Sequence, residues 1–361
     1  MSLEFKPDWE ETKERYRAFW AHEYFGRCAL AVTAPRDDAP DEPPPARPTT
    51  PYQRWTDLDY AAASNSWAMC RTFYGGEAFP VWTIGYPGHT AIPAFLGCRT
   101  ELDFETGWWH PIVLGEGLEE VLELRVDHAG EWWRFTLKAL ERAVRESAGR
   151  CIPSIGAFGG CGDTLAALRG TDRLLYDVID RPEEVVAAEA YLMEMWCEVY
   201  EEFYYIVREV SEGSTSWFGF WSPGKTYAAQ NDFSYMISPK MFRELFLPTI
   251  ERQTQYLDHT VYHVDGIGAF AHVSELCELP RLQAIQILPG AGKPSPLHFM
   301  ETLKMVQKAG KNLQISLSPE ELEPALAQLS ARGLFVTTFC TTESEARELL
   351  KNAERWSIAD R

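Results

Sequence analysis

The stretch TVYHVDGIGAF, residues 260–270, decides how the rest of the chain is read. Val261 and Tyr262 belong to a β-branched and aromatic run of the kind that forms a buried strand, yet the run ends in His263, Asp265 and Gly266. A core strand that finishes in an imidazole, a carboxylate and a turn delivers polar groups to the mouth of a fold. Residues i and i+2 of a strand share one face, so His263 and Asp265 reach toward one point.

Seven other short runs resemble the strand at 261–266: residues 28–34, 79–85, 151–158, 216–222, 284–290, 313–319 and 334–340. All are apolar and continuous rather than alternating, which is the pattern of strands covered on both faces of a parallel sheet. Helical segments separate them. Ser318-Pro319-Glu320-Glu321 carries a cap, a first-turn proline and a capping-box glutamate, and Gly333 ends the segment that follows. Ser238-Pro239 opens another helix in the same way. The α/β class is therefore expected, as a single (β/α)8 TIM barrel over residues 1–361, with a doubly wound open sheet as the other arrangement. Residues 1–27 read as an N-terminal helical extension with Trp9, Tyr16, Phe19 and Trp20 on one flank. Segment 99–150, with Trp108-Trp109 and Trp132-Trp133, is too long for one connection and reads as an inserted cap. The proline-rich stretch 35–51 reads as an irregular loop.

The 361 residues are 45% hydrophobic and 13% aromatic, enough for a large core. Against 34 Lys+Arg stand 53 Asp+Glu, a formal charge of −19, which argues against nucleic acid and against anionic lipid as partners. No apolar run approaches the roughly 18–20 residues that span a bilayer. The charged, amphipathic start MSLEFKPDWEETKERYRAFW is no secretory signal, and the eight scattered cysteines contain no CxxC pair. A cytoplasmic protein with reduced thiols is the expectation.

In a (β/α)8 barrel, reacting groups sit at the C-terminal ends of different strands. His263 and Asp265 end one strand run, and Cys340 ends the last. Imidazole, carboxylate and thiolate are the side chains that bind Zn²⁺, and a catalytic zinc uses three of them plus an open position. The plainer reading of the same residues is a satisfied core histidine, a turn-capping aspartate and a small buried thiol. The glycine-rich GAFGGCGDT, 156–164, follows a strand and precedes a helix, so its Asp163 either faces the site or caps that helix. Trp82, Tyr86, Trp108, Trp109, Phe158, Trp217 and Trp221 lie on or near strand ends, where they form core or wall a pocket for a flat or methylated ligand. His89 and His110 are secondary candidates for acid/base work, while His272, Glu275 and Cys277 read as structural.

Three stretches, 154–185 (SIGAFGGCGDTLAALRGTDRLLYDVIDRPEEV), 232–253 (DFSYMISPKMFRELFLPTIERQ) and 262–290 (YHVDGIGAFAHVSELCELPRLQAIQILPG), resemble the uroporphyrinogen decarboxylase superfamily, which includes the methylcobamide:coenzyme M methyltransferases. The resemblance implies a (β/α)8 barrel. In the methyltransferase branch a His-x-Cys pair and a distant cysteine hold zinc, which activates a thiol to take a methyl group from a corrinoid. The matching positions are His263, Asp265 and Cys340, with aspartate in place of the first cysteine. The decarboxylase branch holds substrate carboxylates with an arginine-rich N-terminal stretch, matched only by Arg27, and an acidic group after the second strand, where this chain has Gly85 and His89.

The expected function is thus zinc-dependent methyl transfer from a corrinoid, carried by a partner protein, or another methylated donor to a thiol-type acceptor, with no nucleotide cofactor. His263, Asp265 and Cys340 would be the ligands, His89 and Asp163 further catalytic groups, and Trp82, Tyr86, Phe158, Trp221 and Arg27 the substrate contacts. The alternatives are decarboxylation of a tetrapyrrole or small acid, using Arg27, His89 and Asp163, and a non-catalytic corrinoid or tetrapyrrole binder.

Overall fold

The computed structural model describes residues 2–85 and 88–360. Its strands are β1 (Ala29–Pro35), β2 (Thr72–Gly76), β3 (Val81–Trp82), β4 (Arg99–Leu102), β5 (Gly107–His110), β6 (Ile152–Pro153) and β7 (Ser214–Thr215), then β8 (Trp221–Ser222), β9 (Thr226–Gln230), β10 (His259–Asp265), β11 (Ala284–Leu288), β12 (Asn312–Ser316) and β13 (Leu334–Phe339). Seven form one sheet in the order β2-β1-β13-β12-β11-β10-β9. Every pairing from β9 round to β1 is parallel, and β2 adds antiparallel to β1. Three two-stranded pieces complete the inventory: β3 with β6 in parallel, β4 with β5, and β7 with β8.

The architecture is α/β around a central parallel sheet, and the described ladders do not form a closed eight-stranded barrel. Two of the expected strands account for much of the difference. The run SWFGFWS at 216–222 is no single strand: Gly219 turns it at a φ of +72°, and its aromatic side chains fill the interior. The strand between the third and fifth positions is instead TYAAQ, the unremarkable β9. Single hydrogen bonds, Ile155 N–H to the Thr215 carbonyl at 3.0 Å and Trp217 N–H to that of Gly156 at 3.3 Å, link the pieces where the ladder lapses.

Although the strands read as continuous apolar runs, alternate residues enter different clusters. Leu30, Val32, Tyr262, Val264, Ile285, Ile287, Leu313, Ile315 and Val336 pack outward with helix residues such as Leu276, Leu303, Val306, Leu326 and Leu349. Ala29, Ala31, Val261, Ala284 and Phe335 face inward. There they meet the helix Trp9–Trp20, whose Trp9, Tyr16, Phe19 and Trp20 plug the end where the strands begin. Phe19 packs edge-on against Phe335 at 5.3 Å, and the Trp20 indole donates to the Trp221 carbonyl at 2.9 Å. With that end closed, the strands' C-terminal end is left for a site.

Glu77, after β2, fastens the plug. It accepts two hydrogen bonds from the Arg27 guanidinium, at 2.7 and 2.8 Å, one from Arg15 and one from the Leu30 N–H. The neighbouring Gly76 has φ +59°, and a Cβ there would stand 2.0 Å from the Leu30 carbonyl oxygen. Gly76→Ala is expected to cost more than about 1 kcal/mol through strain and displacement of β1; urea titration against wild type measures it.

Segment 99–150 divides into a β4–β5 hairpin, a short turn of helix at Glu119–Glu123, and the helix Glu131–Ser147, which packs beside the long helix Pro182–Ser211 and leads into β6. The proline-rich loop 35–51 is tied down through carbonyls: Arg71 donates to those of Pro40 and Glu42, and Trp67 to that of Glu42. No described helix is long and apolar enough to cross a membrane.

Candidate functional site

The site begins with strand register. On the inner face, Gln230 of β9, His263 of β10, Gln286 of β11 and Gln314 of β12 are successive partners across the sheet. Four polar side chains therefore form one belt above the apolar layer of Val261 and Ala284. Nδ1 of His263 is hydrogen-bonded to the Oε1 of Gln286, while the Gln314 amide donates to Thr337 at 2.6 Å. An amide oxygen can only accept, so Nδ1 carries a proton, and in the neutral imidazole Nε2 is then the acceptor. The edge of Trp217 packs against the His263 ring at 5.1 Å.

Above the belt lies a cavity of about 850 Å³, lined by His263, Gln230, Asp163, Asp232, Trp108, Trp109, Trp217, Phe233 and Met236, with Thr83 and Gly85 following β3. That volume suits a drug-sized or cofactor-sized ligand. Trp108 and Trp109 come from the β4–β5 hairpin of segment 99–150. Among the described residues no Lys or Arg lines the cavity. The indole N–H of Trp217 is buried without an acceptor among the described residues.

Asp163 sits in the first turn of the helix Cys161–Arg169. Its own helix does not use it as a cap. Instead Oδ1 accepts the backbone N–H groups of Asp232, at 2.7 Å, and Phe233, at 3.2 Å, while Oδ2 accepts from the Gln230 amide at 3.2 Å. The same amide reaches Asp232 Oδ2 at 3.4 Å, so Gln230 bridges the two carboxyls. Burial, then the charge of Asp232, pushes the Asp163 carboxyl up to about 7. Burial, then the charge of Asp265, pushes Asp232 up to about 6. Carboxyls crowded together resist ionising at once, which favours holding a proton toward neutral pH. Asp265 thus takes part through its field on Asp232.

Cys340 is elsewhere. It shares the parity of Leu334 and Val336, not that of Phe335, and lies fully buried in the outer cluster, on the opposite face of the sheet from His263. Two strands also separate β13 from β10. Burial, then the charge of Glu345, pushes its thiol up to about 11, away from thiolate. Among the described residues no three or more His, Cys, Asp or Glu side chains form a group that could hold a metal ion. The expected zinc set His263, Asp265 and Cys340 therefore does not fit a zinc ion.

Several other expected residues lie away from the cavity. Arg27 is bound to Glu77 at the plugged end. Trp82, Phe158 and Trp221 are buried: Phe158 packs against Trp196 and Tyr227, and Trp221 against Trp9. His89 is enclosed between Trp132 and Phe135, and burial lowers it to about 4, so it stays neutral. Tyr86 lies outside the described residues. His110 pairs with Glu101 at 3.0 Å on the hairpin, and His272 bonds to the Ser234 carbonyl and stacks on Phe242. Gln230 and Asp232 were missed by the sequence reading. The signal available was the polar cluster Gln230-Asn231-Asp232 at the end of a short strand.

No protein-family model matches the chain, and neither does any curated protein. Among solved structures the chain is similar to a methyltransferase from Methanosarcina mazei, with a TM-score of 0.59 at 11% sequence identity, over 95% of this chain and 98% of that one. At that identity the likeness is one of fold.

Proposed function

We propose that the protein is a methyl-transfer enzyme whose small substrate occupies the 850 Å³ cavity. The observation that carries the reading is the convergence of a proton-holding carboxyl pair, Asp163 and Asp232, and an oriented imidazole, His263, on one largely aromatic pocket. The likeness of fold to a methyltransferase over nearly the whole chain supports the same side, as do the three stretches that resemble the uroporphyrinogen decarboxylase superfamily.

Methyl transfer to a heteroatom that still carries hydrogen needs a base. The acceptor's proton moves to an Asp232 oxygen, the freed lone pair attacks the methyl carbon, and the leaving group departs with the bonding electrons. Asp232 suits this because its carboxyl lines the cavity and titrates near neutral pH. Asp163 is anchored by two backbone N–H groups and positions Asp232. His263 Nε2, its tautomer set by Gln286, accepts a hydrogen bond from the substrate and fixes its orientation. The donor in this reading is a methylated corrinoid presented at the mouth by a partner protein, or another activated methyl compound. Zinc has no step here, because its expected ligands are split between two faces of the sheet. A carboxylate-rich tetrapyrrole is disfavoured by acidic lining groups without a basic partner.

The test follows a labelled methyl group from methylcobalamin or another activated donor to thiols and amines. His263→Ala is expected to lower kcat by about 10²–10⁴, with the fold intact by circular dichroism. Cys340→Ala should leave both turnover and metal content unchanged. Absence of transfer with every donor and acceptor pair, or loss of a bound zinc in Cys340→Ala, would sink the reading.

A further inference from the structure

The chemistry of the cavity wall selects among acceptors. Three indoles and a phenyl ring, Trp108, Trp109, Trp217 and Phe233, line the space, and Asp163 and Asp232 are the acidic groups on it. Aromatic faces attract organic cations, by about 0.5–2 kcal/mol each when desolvated. A carboxylate on the pocket wall adds a Coulombic attraction for a positive ligand. No described Lys or Arg opposes it from the lining, and the net charge of −19 favours approach of cations over anions.

We infer that the cavity takes an organic amine bound as its ammonium cation, rather than an anionic thiol or acid. The inference deepens the methyl-transfer reading and rests on it for chemistry alone. The balance is closed: R₂NH₂⁺ gives one proton to the Asp232 carboxylate, the neutral amine attacks the methyl carbon, and the product R₂NH⁺–CH₃ forms as the leaving group takes its electron pair. The same carboxylate that attracts the cation thus makes it nucleophilic.

Affinity then depends on pH, because the carboxyls must be ionised to hold a cation. The groups facing them come from four elements: Gln230 from β9, Tyr262 and Asp265 from β10, Glu189 from the helix Pro182–Ser211, and Cys161 from the helix of Asp163 itself. His263 also faces the cavity from β10. Burial, then the charge of Asp163, raises Glu189, and burial raises Tyr262, while Asp163 and Asp232 are pushed up to about 7 and about 6.

The experiment uses the full-length protein and three probes that share one ring: benzyltrimethylammonium, benzyl alcohol and benzenesulfonate. Tryptophan fluorescence and calorimetry read their binding at pH 8 and pH 5. The fixed cation is expected to bind at least tenfold tighter than either other probe at pH 8, and to lose about tenfold at pH 5. Asp232→Asn should weaken binding of the cation at pH 8 and reduce its pH dependence. Sulfonate or alcohol binding as tightly as the cation, or a cation affinity indifferent to pH, would overturn the inference. This readout needs no turnover. Cation binding without methyl transfer would refute the proposed reaction and keep the ligand class, and transfer to thiols without cation binding would do the reverse.

Discussion

Glu77→Gln is expected to lower the unfolding free energy by about 3–5 kcal/mol, the usual consequence of removing one partner from a buried ion pair. Glu77 has 0% of its surface exposed, and Arg27 only 7%. Burial alone would push the Glu77 carboxyl up, but the Arg27 charge and hydrogen bonds, with Arg15, hold it below the ordinary carboxylate range. A neutral amide leaves the Arg27 guanidinium charged and under-paired in the interior. The pH dependence has a definite sign. A carboxyl lowered by folding stabilises above its unfolded pKa of about 4.5, and that contribution fades as pH falls through the lower folded value. Wild type should therefore lose stability below pH 4.5 more steeply than Glu77→Gln. Urea unfolding at pH 7 and pH 3.5 measures both effects. The double variant Arg27→Met with Glu77→Leu should be milder than the single change, because no lone charge remains. A single variant within 1 kcal/mol of wild type would show that the pair contributes little.

Asp163→Asn should move stability and activity in opposite directions. Folding raises this carboxyl from 3.8 to about 7. A carboxyl raised by folding holds its proton more tightly in the native state, so its effect on stability becomes unfavourable as pH climbs from about 4 to about 7, and stays so above. Asparagine keeps an oxygen for the Asp232 and Phe233 N–H groups and carries no charge. The variant should melt a few degrees higher than wild type at pH 8 and no higher at pH 4. Turnover should fall by up to about 10²-fold, because the asparagine amide nitrogen cannot accept from Gln230 and the Gln230 bridge to the Asp232 carboxyl is disturbed. Thermal melts across pH together with kcat check the two limbs, and a variant that is both less stable at pH 8 and fully active would refute this role. Such a trade marks a residue kept for chemistry at the expense of the fold.

What the sequence could reveal differed from residue to residue. The strand at 261–266 was legible because an apolar run stops at His263 and Asp265, and its polar end does border the cavity. The α/β class followed from alternating strands and helices, and the caps at Ser238 and Ser318 form as their sequences suggest. β9 was hidden because Thr226–Gln230 is short and contains two alanines, while the louder aromatic run before it drew the assignment. With β9 went Gln230 and Asp232. Cys340 looked like a ligand because strand ends are where ligands sit. Which face a strand-end residue takes depends on the pairing of β13 with β1 and β12, which no local pattern encodes. Arg27 was unreadable for the same reason, since its partner Glu77 lies 50 residues away.

The pairing of β1 with β13 also governs how the chain is made. Ala29 and Phe335 are register partners, and Phe335 is a contact of the plugging helix through Phe19 and Tyr16. On the ribosome, the first strand and the aromatic flank of the first helix must therefore wait through about 300 residues of synthesis for their final neighbours. Contacts so distant in sequence slow folding. Throughout translation they leave Trp9, Tyr16, Phe19 and Trp20 as exposed apolar surface that a chaperone would hold.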